Sequence, residues 1–257
     1  MWSRPLLASK VRAFLIHVAV SAAVFAAVIL VVLTLWFPEP YFRIDGGLAM
    51  IALAAAVDLV VGPLITFLVY RPMRRDNLIN FALIAFMQAA ALTWGVHILY
   101  SQRPLYAAYV GGPVGAFFPV TEAMIRAAPP SAELRAQLKG SPPLAFIPLS
   151  SDPEKARGML MSALLGGPSL LSSTHLWRPI EGRALETIVV EARDRAALQT
   201  LDPDAGRLID EFLAERGARF EEFAFVPLQG RYESALLALR KTDGTVAGAV
   251  YANVRVQ

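Results

Sequence analysis

The stretch Asp58-Leu-Val-Val-Gly-Pro-Leu-Ile-Thr66 lies inside an apolar run, residues 47–70, that is long enough to cross a membrane. It places an acid, a glycine, a proline and a hydroxyl close to the middle of that run. A carboxylate at the centre of a bilayer costs ~2.5–3.5 kcal/mol on insertion scales, so we expect Asp58 to face protein or water. Pro63 cannot donate a hydrogen bond to the carbonyl of Leu59, which predicts a kinked helix with a free acceptor.

The polar and small residues of this stretch fall on one side of the predicted helix. Asp58, Gly62 and Thr66 follow each other at four-residue spacing, and Ala54 extends the series. A face of this kind allows another helix to approach closely. The stretch therefore predicts a helix-docking face within the membrane.

The composition of the chain is that of a membrane protein with a water-soluble part. Of its 257 residues, 56% are hydrophobic, and the mean hydropathy is +0.49. The absence of cysteine excludes disulfides, thiol redox chemistry and cysteine-ligated zinc. The net charge is only +3, and basic residues gather at the ends of apolar runs. We interpret them as topology signals and expect a lipid bilayer, not nucleic acid, as the partner of these charges.

Two more apolar runs, residues 13–37 and 78–100, accompany residues 47–70. The first is too long for a signal-peptide core, which favours an uncleaved anchor. Basic residues precede the first run and separate the second from the third, whereas the 38–46 loop holds two acids and one arginine. The positive-inside rule then predicts a cytoplasmic N terminus and places everything after Tyr100 outside, with the loop's aromatic residues at the membrane interface.

The remaining residues, 101–257, have the composition and the spacing of turn residues that are typical of a mixed α+β domain. We predict strands at 105–110, 114–120, 144–149, 184–192, 220–228, 233–241 and 245–254, and helices at 122–127, 131–138, 152–165 and 202–216, with a helical turn at 194–200. Glycine–proline turns are expected at 111–113 and 166–168. The predicted fold is therefore a three-helix transmembrane bundle, residues 1–100, followed by an extracytoplasmic α+β domain.

Asp58 is the sharpest candidate for a functional residue, because an acid within the membrane is costly. It could latch a partner helix, handle protons or ions, act as a catalytic acid, or bond within its own bundle. An intramembrane aspartyl protease needs two carboxylates, and Asp58 is the only acid inside the apolar runs. The latch is the interpretation that the sequence favours, and we expect the carboxyl to be uncharged.

Gln88 lies at the middle of the third run, at the depth predicted for Asp58. A hydrogen bond between them is geometrically allowed and would be worth ~0.6–2 kcal/mol in a membrane. Small residues also recur at four-residue spacing in the other two helices, at Ala19, Ala23 and Ala27 and at Ala85, Ala89 and Thr93. These seams serve either internal packing or a helix from another protein.

The histidines do not form a cofactor site in this sequence. From the predicted helix midpoints, His17 and His97 differ in depth by roughly 24 Å, so one haem cannot join them. No histidine pair has metal-ligand spacing, and no Gly-x-Ser-x-Gly elbow supports a hydrolase built on His17 and Ser21. We therefore predict no catalytic, metal-binding or cofactor-binding residue and no enzymatic activity.

The chain resembles the TfpX/TfpZ family of type IV pilin accessory proteins. The resemblance rests on Phe14-Leu-Ile-His17, on the stretch from Asp58 to Thr66, on the arginine-rich turn after the second helix, on Gln88 and on Arg103-Pro104. It implies a bacterial inner-membrane protein that assists the assembly and stability of a pilin, with a periplasmic domain and no known catalysis.

Together these features suggest how a pilin would be held. The outer domain would bind its head, and a polar intramembrane face would bind its transmembrane helix. The residues of that face are Asp58, Gly62, Pro63, Thr66, Gln88 and His17. An envelope sensor or transporter-associated subunit with a ligand-binding outer domain is the alternative, and a membrane enzyme is the third possibility.

Overall fold

The computed structural model describes residues 4–71, 76–150, 152–164 and 169–255, and it contains two compact units. The first comprises residues 1–36 and 47–101, and the second comprises residues 37–46 and 102–257. The loop between the first two long helices thus belongs to the second unit. Most of the basic turn after the second helix and the 166–168 turn lie outside the described residues.

The first unit contains three helices that are long and apolar enough to cross a membrane, Arg4–Trp36, Gly47–Val69 and Asn77–Gln102. We call them the first, second and third long helices. The first comprises α1, Arg4–Val31, and a π-helical segment, Val32–Trp36. The second comprises α3, Gly47–Ala55, a π-helical segment, Ala56–Val61, and α4, Gly62–Val69. The third is α5, Asp76–Gln102. The first helix starts nine residues before its predicted beginning, and Pro5 suits the first turn of a helix.

The second long helix accommodates Pro63 with a wider turn. The amide of Gly62 bonds to the carbonyl of Val57, five residues back, and Pro63 then falls at the second position of α4. A first-turn position needs no intrahelical donor, so proline is tolerated there. The π-helical segment that contains Asp58 therefore accommodates the proline within the helix. Such segments are frequent at functional sites.

The loop between the first two long helices forms a single helical turn, α2, Tyr41–Ile44. We predicted its aromatic residues at a membrane interface, but Tyr41 and Phe42 are buried, and Tyr41 and Ile44 belong to the core of the second unit. The carbonyl of Ile44 accepts hydrogen bonds from the amides of Tyr232 and Glu233, at 3.1 and 3.0 Å. The loop is thus a structural part of the α+β domain.

The second unit is built on one mixed six-stranded sheet with the order β3-β1-β2-β4-β5-β6. The strands are β1, Pro104–Val110; β2, Ala116–Thr121; β3, Leu144–Ile147; β4, Phe223–Gln229; β5, Ser234–Arg240; and β6, Val246–Val250. The β1/β3 and β2/β4 pairs are parallel, and the β1/β2, β4/β5 and β5/β6 pairs are antiparallel. The predicted strands are confirmed except for one.

That exception is the segment 184–192, which we predicted as a strand and which is a helix. The helices of this unit after α2 are α6, Glu122–Ile125; α7, Ala132–Gln137; α8, Pro153–Leu164; α9, Arg183–Glu191; α10, Arg195–Leu201; and α11, Ala205–Ala214. Helix α9 packs its buried side chains, Leu185 and Ile188, towards the sheet core, and α11 covers a second core cluster around Phe225.

Candidate functional site

Three polar side chains from the three long helices meet inside the first unit. The Nδ1 atom of His17 lies 2.6 Å from the hydroxyl oxygen of Thr66, and its Nε2 atom lies 2.8 Å from the amide oxygen of Gln88. Thr66 is buried, and the other two residues are half-buried. His17 thus bridges the first long helix to both of the others.

The roles of the atoms in this cluster follow from their chemistry. An amide oxygen can only accept, so Nε2 of His17 donates to Gln88. In a neutral imidazole the other nitrogen is then an acceptor, and the hydroxyl of Thr66 donates to it. The cluster satisfies both ring nitrogens. Ser21, which we considered as a partner of His17, makes no hydrogen bond with it among the described residues.

Gly62 explains how Gln88 reaches this position. A Cβ atom at Gly62 would overlap the amide group of Gln88, so only glycine lets this side chain cross the second long helix here. Gly62, Pro63 and Thr66 are all buried. The face predicted to receive a partner helix is therefore directed, over most of its length, towards the other helices of its own unit.

Asp58 occupies the same face but does not join the cluster. Its side chain is only 8% exposed, and it makes no hydrogen bond with any described residue. The predicted depths allowed a hydrogen bond between Gln88 and Asp58, but the amide oxygen of Gln88 bonds to His17. The polar contact that the structure shows is therefore between His17, Thr66 and Gln88, and not between Gln88 and Asp58.

The position of His17 was misjudged because of a helix boundary. With the helix starting at Arg4 and ending at Trp36, its centre is residue 20, close to His17. A helix over 13–37 would have placed His17 a further five residues from the centre. The polar residue of the first long helix therefore lies at the depth of Gln88.

Lys10 is a residue that the sequence analysis missed. It is 5% exposed, and its Nζ atom donates to the carbonyls of Phe67 and Leu68, at 2.9 and 3.0 Å. These carbonyls belong to the last turn of α4, where helices have unsatisfied acceptors and a negative dipole end. The sequence contained a signal for this position: Lys10 precedes His17 by seven residues and so lies on the same helix face.

Two cavities flank the His17 cluster within the first unit. One is a groove of about 620 Å³ lined by all three long helices, including Ser9 and Arg12 at one end and His17, Thr66 and Gln88 on its wall. The other has a volume of about 290 Å³, and Asp58 is its single polar lining residue. Asp58 and the His17 cluster thus line different cavities.

The second unit has its own polar features. Tyr109 is fully buried, and its hydroxyl donates to the Glu191 carboxylate at 2.8 Å, while the amide of Gly112 donates to the other carboxylate oxygen at 3.0 Å. Burial, and then the bond and charge of Glu191, raise the pKa of Tyr109 well above its ordinary value. Among the described residues, no group of three or more His, Asp or Glu is arranged to hold a metal ion.

Comparison with known proteins gives relatives of one kind. The chain is 34% identical over 104 residues to the fimbrial assembly protein of serogroups C1 and C2 of Dichelobacter nodosus, which is 40% of this chain and 78% of that protein.

The chain belongs to the FimB family of fimbrial assembly proteins.

The description of the matching family model is "Fimbrial assembly protein FimB", and the match covers residues 5–46. That range includes α1, with Lys10 and His17, and the α2 loop up to Gly46. The fimbrial assembly proteins of serogroups E1 and I of the same organism are also 34% identical over 104 residues, but the chain spans only 40% of their length. No solved structure matches this FimB-family chain significantly.

Proposed function

We propose that this FimB-family chain is a non-enzymatic membrane protein that binds a type IV pilin and assists its stability and assembly into fimbriae, as the TfpX/TfpZ resemblance implies. The observation that carries the proposal is the 34% identity to a fimbrial assembly protein, 78% of which aligns with this chain. The three apolar helices and the separate α+β unit support it, since a pilin combines an apolar helix with a globular head.

The proposed location is the bacterial inner membrane, with the N terminus in the cytoplasm and the α+β domain in the periplasm. The charge pattern of the sequence supports this orientation. A second support is that the α2 loop and residues 102–257 form one unit, so both must lie on the same side of the membrane. Two spans separate them in sequence, as that arrangement requires.

The two units divide the work in this proposal. The bundle holds the transmembrane helix of the pilin before it is extracted, and the α+β domain holds the head. The first unit offers exposed apolar helix surface for such a contact. No chemical step is needed for this role.

Deletion of the gene in its host tests the proposal. We expect loss or strong reduction of surface fimbriae, counted by electron microscopy, and faster turnover of the pilin, followed by pulse-chase; expression from a plasmid should restore both. The pilin should co-purify with the tagged full-length protein in mild detergent. Normal fimbriation in the deletion strain would contradict the proposal.

The alternative function, an envelope sensor or transporter-associated subunit, has one observation in its favour. The α+β unit contains a cleft of about 400 Å³, lined by Lys139, Glu181, Asp243 and β6 residues among others. If this cleft binds a small ligand, the protein purified from its host should carry one, detectable by native mass spectrometry. A ligand without a bound pilin would favour the alternative.

A further inference from the structure

The cavity beside Asp58 is an apolar space with one polar group. It has a volume of about 290 Å³ and lies between the halves of the three long helices that are next to the second unit in sequence. Its lining includes Phe25 and Val32 from the first long helix, Ala54 and Asp58 from the second, and Leu92 and Gly95 from the third. Every lining residue other than Asp58 is apolar.

Asp58 is more than nine-tenths buried and has no hydrogen-bond partner among the described residues. No hydrogen bond of the described residues joins Asp58 to the nearby polar side chains, since His17 bonds to the amide oxygen of Gln88 and to the hydroxyl of Thr66. A polar group in hydrocarbon that lacks a partner is costly, so such groups in membrane helices mark positions where something else binds. The accessible part of Asp58 lines the cavity.

We propose that the Asp58 cavity receives a hydrogen-bond-donating side chain from the transmembrane helix of the pilin. The inference rests on the proposed function and deepens it, because it names the part of the bundle that recognises the partner and the chemistry that the partner supplies. The donor is a hydroxyl, amide or amine at the depth of Asp58, carried on an otherwise apolar helix.

A helix side chain fits this site better than the other occupants of a membrane. A lipid acyl chain would fill the apolar part but has no donor at this depth. A water molecule needs two to four polar partners, and the cavity offers it one carboxyl group. A side chain from a helix provides an apolar stem and a donor together, and a donor–acceptor pair across helices stabilises association in a membrane.

The third long helix leaves room for the approach. At Gly95, which lines the cavity, an added Cβ would meet nothing within 4 Å. Small residues at a helix surface let another helix come close. A side chain at position 95 would therefore begin in open space beside the cavity, which gives a test that leaves Asp58 itself unchanged.

The test is photo-cross-linking of the full-length protein in its host membrane. Benzoylphenylalanine replaces Phe25 inside the cavity and, as the control position, Phe86, which is 70% exposed on the third long helix. We expect the pilin to be captured at position 25 and not at position 86. Capture of a second copy of this chain, or of no protein at position 25, would overturn the inference.

Substitutions then test the chemistry. Asp58→Leu should reduce the cross-link about five- to tenfold, the effect of losing one interhelical hydrogen bond, whereas Asp58→Asn keeps an acceptor and should retain it within about twofold. Gly95→Leu should reduce it similarly, and Ala90→Leu, at an exposed position outside the described cavities, should not. Membrane levels of each variant are measured by immunoblot. Equal yields from Asp58→Leu and the unaltered protein, or equal losses in Asp58→Leu and Asp58→Asn, would overturn the role of the acceptor.

One further position separates this inference from the proposed function. Val190, which is 83% exposed on α9, can carry the cross-linker in the α+β domain. Capture of the pilin at position 190 but not at position 25 would refute the cavity and leave the proposed function standing. Normal fimbriation without the protein would refute both.

Discussion

The carbonyl oxygen of Ile44 accepts a hydrogen bond from the amide of Glu233 at 3.0 Å, which joins the loop after the first long helix to the turn between β4 and β5. The Asp45 carboxylate adds a second bond, from the amide of Arg231 at 3.1 Å. A Cβ at Gly230 would meet the Ile44 carbonyl oxygen at 2.5 Å, so the two segments are in close contact. The loop therefore completes the core of the α+β domain instead of merely linking two helices.

Ile44→Ala should destabilise the α+β domain strongly. The side chain is completely buried in the main core cluster, and truncating a buried isoleucine to alanine typically costs ~2–5 kcal/mol. The check is thermal unfolding of the full-length protein in detergent, followed by near-ultraviolet circular dichroism. Val190→Ala, at an exposed position, is the control and should unfold at the same temperature as the unaltered protein. An unchanged transition for Ile44→Ala would show that the loop does not belong to the folded domain.

His17 and Gln88 should behave as a coupled pair. Either His17→Phe or Gln88→Leu removes the same 2.8 Å hydrogen bond, and bonds of this kind in membranes contribute ~0.6–2 kcal/mol. The double variant should therefore cost less than the sum of the two single variants. The free energy of unfolding is measured in mixed detergent micelles for the unaltered protein, the two single variants and the double variant. Strict additivity would mean that the two side chains act independently.

Lys10→Met should weaken the contact between the first two long helices. The ammonium group donates to the carbonyls of Phe67 and Leu68 in part-buried hydrogen bonds, and losing such bonds to a charged donor costs ~1–3 kcal/mol. Lys10→Arg, which keeps donors, should be milder than Lys10→Met. Arg4→Met removes an exposed positive charge from the same helix and controls for charge. The free energy of unfolding is measured in detergent for each variant. If Arg4→Met and Lys10→Met lower it equally, the loss of charge alone explains the effect and the prediction is wrong.

Apolar length was enough to predict the three long helices, because runs of this kind have few alternatives. Pairings between polar side chains were harder to predict. The meeting of His17 with Gln88 depends on the start of the first helix at Arg4, and basic residues before an apolar run look like a flank when only hydropathy is considered. The spacing of Asp58, Gly62 and Thr66 indicated one helix face, but the partner of each residue depends on packing that no single helix encodes.

In the α+β unit, the error at residues 184–192 arose from weighing β-branched residues above spacing. Ala184, Leu185, Ile188, Val189 and Ala192 recur at helical spacing and face the core, while Val190 points to solvent. The periodicity of a short segment was the better guide, since tertiary packing overrides intrinsic preference. The burial of Tyr41 and Ile44 had no local signal, because it depends on a strand turn far along the chain.

Tyr109 should make the protein sensitive to alkaline pH. Its folded-state pKa is raised above the ordinary 10.0, first by burial and then by the bond to Glu191, so the folded state holds this proton more tightly than the unfolded chain. The stabilising contribution is complete below pH 10 and decreases as the pH rises beyond it, by up to ~1.4 kcal/mol per pH unit. Tyr109→Phe has no proton to lose, so its unfolding free energy should fall less steeply above pH 10. Burial likewise raises the pKa of Tyr41, and Tyr41→Phe should flatten the curve in the same way. Denaturant unfolding at a series of alkaline pH values gives the slopes, and parallel curves for Tyr109→Phe and the unaltered protein would contradict the prediction.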